Sequence, residues 1–267
     1  MITCGPHVFD HNFNEAGRDM DSIIEIEDLR FCYHADRYVL DGINLAVAPG
    51  ESVGVIGANG VGKSTFLKIL AGLLPEYEGS IRIADHLLEK KNYGEIRRRL
   101  GYVFQDSDSQ LFMNTVEEDV AFGPLNYGFS REEADRSVKE ALRKTHMEEL
   151  AGRHIYRLSG GEKKLAAIAG ILALQQDDGV ILMDEPSVSL DPANRENLIE
   201  VIRELKAAKL LASHDLDFIY DTCERTILLS GGEVVYDGDT KRLLRDKTLL
   251  EENGLRLPLS FRFPGNI

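Results

Sequence analysis

The 267-residue chain predicts an α/β fold: a mostly parallel sheet wrapped by helices, with a helical insertion between two halves of the core. Three observations predict it. A strand, a glycine-rich turn and a helix follow one another between Glu51 and Gly72. Apolar strands alternate with helical stretches from Gly160 onward, the order that builds parallel sheets. Between these parts, Asp106 to Arg157 is rich in Glu, Arg and Ala and reads as helices alone.

Composition narrows the function classes. The length suffices for one large domain, or one with an inserted subdomain. A net charge of −14 with no run of lysine or arginine argues against a nucleic-acid partner. The densest basic cluster, Arg97-Arg98-Arg99, reads as a solvated helix face. The cysteines, Cys4, Cys32 and Cys223, are odd in number, far apart and without C-x-x-C spacing. That pattern suits a reducing cytoplasm, with neither a structural disulfide nor a zinc site. The longest nearly uncharged apolar run, Leu165 to Leu174, is too short to span a bilayer, and no secretion signal opens the chain. The expectation is a cytoplasmic protein that is free to dock on a membrane partner.

Taken in order, Met1 to Met20 is polar and aperiodic, so it reads as a loose extension; His7 and His11 in it could bind metal, but a disordered tail is the preferred reading. Strands are expected at Ile23–Glu27, Leu29–Tyr33 and Ile43–Val47, and Pro49-Gly50 turns the chain into the buried strand Glu51–Ile56. Residues Gly57 to Thr65, GANGVGKST, then fit G-x-x-x-x-G-K-[ST] with Gly57 and Gly62 as the fixed glycines. The helix Ser64–Gly72 follows, with Phe66, Leu67, Ile69 and Leu70 at helical spacing. Glycines let consecutive N–H groups and the positive end of a helix face an anion, which makes this a phosphate cradle. Lys63 is placed to reach the β- and γ-phosphates, and the Ser64 hydroxyl to ligate Mg²⁺.

Further strands are expected at Gly79–Ile83 and Gly101–Phe104, the latter leading to Gln105. Helices follow at Thr115–Leu125 and Arg131–Thr145, opened by the capping boxes Thr115…Glu118 and Ser130…Glu133. The core resumes with Leu158-Ser159-Gly160-Gly161-Glu162 and a helix to Leu174. Ser159 is either a plain N-cap or part of a second helix terminus facing a phosphate; the latter explains why two glycines follow the serine.

The apolar strand Val180–Met183 ends in Asp184-Glu185-Pro186. Either these residues simply open a turn, or the acids stand where ligands bind, at the carboxyl end of a buried strand. In the second reading Asp184 holds Mg²⁺ through water, and Glu185 orients or deprotonates an attacking water. A helix Ala193–Lys206, a strand Leu210–Ala212, a helix after Asp215 and a β pair, Thr226–Leu229 with Glu233–Tyr236, complete the order.

The ordered set GANGVGKST, Gln105, LSGGE, ILMDEP, Ser189-Leu190-Asp191 and His214 resembles an ABC-type ATPase from Ser22 to about Asp239. The resemblance implies a P-loop NTPase (RecA-like) core with an N-terminal antiparallel β subdomain and a helical subdomain at about 106–157. The ATPase domain would be 22–240, with an extension 1–21 and a short tail 241–267. It implies ATP and Mg²⁺, the latter at Ser64, Gln105 and Asp184, and two ATPase domains joined head to tail. Ser159, Gly160 and Gly161 of one would then face the γ-phosphate held by Gly57, Asn59, Gly60, Gly62, Lys63, Ser64 and Thr65 of the other. By the same resemblance Gln105 contacts the metal and water and senses a membrane partner. His214 would touch the γ-phosphate beside Glu185 and Lys63, and Asp191 would connect the two sites. Tyr33 would stack on adenine, with Tyr38 as the alternative ring.

A narrower stretch is similar to the ATPases of energy-coupling-factor importers, the cobalt type above all. It comprises Phe104-Gln105-Asp106, Gln110-Leu111-Phe112, Thr115 to Pro124, LSGGEKK and Glu251 to Pro258. This implies a motor on the cytoplasmic face of the cell membrane, driving uptake of cobalt, nickel or a vitamin. A separate membrane coupling subunit and a membrane substrate binder would complete it, and the ATPase dimer is homomeric or made with a paralogue. The sequence departs from the pattern at Ser107, where proline is usual, at Leu165, where a basic residue often stands, and at Met183. None of these removes a catalytic group. The alternative is a non-transport ABC ATPase such as an iron–sulfur assembly scaffold component, whose signature can also read LSGGEKK; the stretch Gln110–Pro124 argues against it. No heptads lie between Gly72 and Leu158 to support a chromosome-structure ATPase.

Overall fold

The computed structural model describes residues 22–34, 37–175 and 178–262. The expected extension, with Cys4, His7 and His11, lies outside the described residues. Strands β1 (Ile24–Phe31), β2 (Leu40–Val47), β4 (Glu78–Ile83) and β5 (His86–Leu87) form an antiparallel sheet in the order β2-β1-β4-β5. Strands β3 (Ser52–Ile56), β6 (Leu100–Val103), β7 (Val180–Asp184), β8 (Ala208–Ala212), β9 (Arg225–Ser230) and β10 (Glu233–Asp239) form the second sheet, ordered β10-β9-β3-β8-β7-β6. It is parallel except for the edge pair β9–β10.

The two expected pieces Ile23–Glu27 and Leu29–Tyr33 are one strand, β1, interrupted by a register shift at Asp28. There Asp28 takes φ 47°, and the strand opposite supplies Gly79. A Cβ on Gly79 would stand 2.4 Å from the Asp28 carbonyl oxygen, so the bulge needs a residue without one.

Every residue of β7 and β8 is buried, as expected of parallel strands covered on both faces. The period of two sorts their side chains into two cores. Val180, Leu182, Leu210 and Ala212 join Phe66 and Leu67 of helix α1 (Lys63–Leu70) and the antiparallel sheet. Ile181, Met183 and Leu211 join the opposite core, with helices α3 (Val116–Asn126), α4 (Arg131–Lys144) and α5 (Gly160–Leu174). Leu165, where a basic residue is common, faces that second core and is 2% exposed. Helices α3 and α4 both open with the expected capping boxes, at Thr115 and Ser130.

Helix α2 (Tyr93–Arg99) carries the Arg97-Arg98-Arg99 cluster on its exposed side, where Arg97 lies over Tyr93 and Arg98 over Tyr127. Helices α6 (Pro192–Glu204) and α7 (Leu216–Thr222) complete the wrapping. The stretch after Asp239, expected as a short tail, forms three further helices: α8 (Thr240–Arg245), α9 (Lys247–Glu252) and α10 (Leu259–Arg262).

Candidate active site

Strand β3 lies between β9 and β8, so the loop at its carboxyl end opens beside the ends of β7 and β8. The chain leaves β3, returns through the far edge at β6 and re-enters on the other side at β9. That is a switch point in strand order, where open α/β sheets bind ligands. Gly57 has φ 154°, and a Cβ there would stand 2.5 Å from the Leu229 carbonyl oxygen. Gly62, at φ 114°, is the N-cap of α1. Asn59 and Gly60 form the exposed outer rim of the loop.

Lys63 folds back over this loop, its Nζ donating to the carbonyl oxygens of Gly57 at 2.8 Å and Ala58 at 3.4 Å. Burial pulls its pKa down, while the carboxylates of Glu185 and Asp184 oppose the shift. The ammonium therefore sits poorly hydrated between the loop and two acids. An incoming phosphate gains more from such a group than from a solvated lysine.

Ser64 Oγ donates to Asp184 Oδ1 at 2.9 Å, joining α1 to the end of β7. The other oxygen, Oδ2, accepts from the Tyr102 hydroxyl at 3.2 Å. A hydroxyl and a carboxylate at this separation make an oxygen-only donor set, which fits a hard cation such as Mg²⁺ that keeps most of its waters. Gln105, expected at this position, has an exposed side chain, and its carbonyl oxygen accepts from Lys164 Nζ at 2.8 Å. Tyr102 was not anticipated. Its signal was a polar aromatic on an otherwise apolar strand that pairs with β7.

Glu185 adopts φ 47° and is 8% exposed. Its backbone N–H donates to Ala212 O at 2.8 Å, which fastens the residue to β8. Its Oε2 accepts from His214 Nδ1 at 2.7 Å, from the His214 N–H at 3.2 Å and from Ser213 Oγ at 3.3 Å. A left-handed conformation at a bulky residue is unfavourable, and such strain collects at functional sites. Asp184-Glu185-Pro186 does open a turn, so the plainer reading also describes the chain path. The turn and the carboxylate cluster coexist.

Ser159 is the N-cap of α5: its Oγ accepts from the Glu162 N–H, and Glu162 Oε2 accepts from the Ser159 N–H at 2.7 Å. Ser159 and Gly160 are exposed, whereas Gly161 is buried against Asn194 of α6. Asp191 is the N-cap of α6, its carboxylate accepting from Asn194 N–H at 3.0 Å and Asn194 Nδ2 at 2.6 Å. These bonds lower its pKa. Gly161 and Asp191 thus converge on Asn194, which no sequence motif had marked.

The Tyr33 hydroxyl lies 3.1 Å from Thr65 Oγ1, so this exposed ring stands over the end of the phosphate loop. Tyr38 instead donates to Glu78 at 3.2 Å. A cavity of about 730 Å³ opens among Gly57–Asn59, Ser187–Ser189, His214–Asp217 and the segment Gly254–Leu259. That last wall was also unforeseen. It is fastened by Asp217, whose carboxylate accepts from the N–H groups of Leu259 at 2.9 Å and Ser260 at 3.2 Å.

The sequence profile of the ABC transporter family matches residues 40–188. A Geobacter sulfurreducens protein, provisionally named an ABC transporter ATP-binding protein, is 44% identical over 90% of this chain and 96% of its own. The energy-coupling factor transporter ATP-binding protein EcfA of Carboxydothermus hydrogenoformans is 39% identical over 90% of this chain and 89% of its own. Among solved structures, cbiO1 of Clostridium perfringens, part of the ABC transporter complex cbiONQ, superposes with a TM-score of 0.78 at 31% identity. The match covers 91% of this chain and 96% of that one. A dimeric post-hydrolysis state of the ATP-binding cassette MJ0796 with ADP and Pi gives 0.70 at 27% identity, over 81% of this chain and 98% of that one. Matched over more than half its length by the family and over nine-tenths by such relatives, the chain belongs to the ABC transporter ATP-binding proteins, ATPases that power transport.

Proposed function

We propose that the chain is the ATP-hydrolysing motor of an energy-coupling-factor type importer, docked on the cytoplasmic face of the membrane. The observation that carries the ATPase chemistry is the convergence of Lys63, Ser64, Asp184, Glu185 and His214 on the carboxyl ends of β3, β7 and β8. Lys63 neutralises charge on the transferred phosphoryl group, and Ser64 with Asp184 would hold Mg²⁺, which would supply further positive charge for the phosphoryl group when bound. Glu185, fixed by the His214 ring and the Ser213 hydroxyl, accepts the proton of the attacking water. Tyr33 stacks on adenine, because its hydroxyl already ties it to the phosphate-loop helix while Tyr38 is turned toward β4. Ser159 and Gly160, exposed at the head of α5, face the nucleotide of a second ATPase domain, and Asp191 lies between the two sites. Gln105, exposed at the edge of the site, reads the membrane partner.

The importer reading is supported by the 39% identical EcfA relative, by the likeness to cbiO1 and by one surface. Phe112, Met113, Phe122 and Leu125 are all more than a third exposed, and the Phe112 and Phe122 rings meet edge to face at 4.6 Å. Exposed aromatic clusters of this kind mark interaction sites, and this one lies just beyond Gln105. No described helix is long and apolar enough to cross a membrane; separate membrane subunits belong to the importer reading and are supported by the likeness to cbiO1, part of the complex cbiONQ. The test is a pull-down from host membranes with Glu185→Gln, which retains bound ATP. Recovery of a multi-helix coupling subunit with a small membrane substrate binder is expected, and the binder identifies the solute, whether cobalt, nickel or a vitamin. Recovery of soluble assembly proteins alone would refute the importer and favour a scaffold ATPase.

A further inference from the structure

We propose that Tyr102 is a positioning residue for Asp184: its hydroxyl holds the second carboxylate oxygen, so that the first is presented beside Ser64 to the cation of the bound nucleotide. This rests on the reading of Ser64 and Asp184 as the Mg²⁺ site. Asp184 is 4% exposed, and its two oxygens face two different donors, Ser64 Oγ at 2.9 Å and Tyr102 OH at 3.2 Å. The torsion that turns an aspartate carboxylate is soft and roughly two-fold. One donor leaves it free to rock, whereas donors on both oxygens define its plane.

The donor is itself held firmly. Tyr102 sits on β6, the edge of the parallel sheet, and its ring packs edge-on against Phe104 with centroids 4.7 Å apart. Among the described residues no strand covers the outer side of β6. The Gln110 side chain takes that place, its Nε2 donating to Tyr102 O at 3.2 Å and its Oε1 accepting from the Phe104 N–H at 3.1 Å. Lys164, 2% exposed and rooted in α5, donates through Nζ to Phe104 O at 3.0 Å and Gln105 O at 2.8 Å. The segment 102–105 is thus fixed from the insertion side, from the signature helix and at Asp184. A hydroxyl whose only task was to satisfy itself in the core would not need an acceptor that also holds a metal. Outer-sphere partners of metal-holding groups typically matter about ten- to a hundredfold in metal affinity. Here the carboxylate would reach the cation through water, one shell further out, so an effect at or somewhat below the lower end applies.

The experiment is a Mg²⁺ titration of fluorescent ATP-analogue binding to the full chain, with parallel titration of Mn²⁺ by its paramagnetic resonance signal. Tyr102→Phe is expected to raise the Mg²⁺ midpoint about three- to tenfold while leaving nucleotide affinity in EDTA unchanged. In an Asp184→Asn background, adding Tyr102→Phe is expected to change nothing further. A Tyr102→Phe midpoint within twofold of wild type, or below it, overturns the proposal and leaves the hydroxyl a purely structural bond. Tyr102→Leu gives the same readout should the phenylalanine variant fail to fold. If Asp184→Asn itself leaves the midpoint unmoved, it is the metal-site assignment that fails, and that result is distinguishable from failure of Tyr102 alone.

Discussion

Gly161→Ala separates a glycine required by packing from its neighbour Gly160, which packing does not require. A Cβ on Gly161 would stand 2.4 Å from Asn194 Cγ, 2.5 Å from Asn194 Cβ and 2.7 Å from Asn194 Nδ2. Carbon atoms prefer about 3.5–4.0 Å, so the overlap is about 1 Å. Asn194 Cβ cannot rotate away, because the backbone of α6 places it, and Asn194 Nδ2 is engaged with Asp191 at 2.6 Å. Relief requires α6 to move off α5 and loosens the Asp191 cap. Overpacking costs about 1–3 kcal/mol and a lost cap about 1 kcal/mol, against a helix gain of at most about 1 kcal/mol for alanine over glycine. The net is about 2 kcal/mol of lost stability, or a melting temperature lower by about 4–8 °C for a domain of this size. Gly160 is exposed and its added Cβ would meet only Ser189 O at 3.6 Å, an ordinary contact. Gly160→Ala should therefore melt within about 0.5 kcal/mol of wild type, yet lose ATPase activity if it faces a partner's phosphate. Scanning calorimetry of the nucleotide-free chain, paired with phosphate release, reads both quantities. A Gly161→Ala chain that melts at or above wild type would refute the close contact between α5 and α6.

Glu185→Gln should lower kcat by about 10²–10⁴ and leave ATP affinity within a few-fold, since a glutamine oxygen still accepts from the His214 N–H and Ser213 Oγ. Turnover near wild type in a phosphate-release assay would remove Glu185 as the base. Tyr33→Ala should weaken ATP about five- to tenfold, the low end of the roughly 1–3 kcal/mol that stacking a base on an aromatic ring supplies. Tyr38→Ala should leave affinity unchanged, and equilibrium binding that ranks the two the other way exchanges their roles. Cys223 is buried, with its thiol pushed up to about 11 by desolvation from an ordinary value of about 9. Between those values the folded chain holds a proton that the unfolded chain has lost, so this group makes stability fall as pH rises from about 9 to about 11. Urea midpoints of wild type and Cys223→Ala should diverge across that window, and parallel curves would contradict the burial. In alkylation mapping the partly exposed Cys32 should label before Cys223.

Local patterns were enough to reveal most of the architecture. The phosphate loop, the two-faced strands β7 and β8, the capping boxes at Thr115 and Ser130 and the N-cap at Ser159 all depend on neighbours within a few residues, and each was readable from the chain alone. Where local signals conflicted, the reading faltered. Asp28 looked like a break because its left-handed conformation interrupts the alternation, and only Gly79 on the adjacent strand makes it a bulge within β1. The stretch after Asp239 read only as a short tail because its helices are short, and short helices stand on contacts such as Leu259 and Ser260 with Asp217 rather than on propensity.

By itself, then, the sequence determined the fold class, showed the family through its ordered motifs and nominated Lys63, Ser64, Asp184, Glu185 and His214 as one candidate set, since motif spacing places each at the end of a predictable element. Tertiary structure alone decided which atoms meet. It put Tyr102 on Asp184, Tyr33 rather than Tyr38 on Thr65, Asn194 between Gly161 and Asp191, and residues 254–259 along the cavity. The reason is physical. A hydrogen bond between residues 82 or 32 positions apart depends on sheet order, register and rotamer, none of which leaves a periodic trace in the chain.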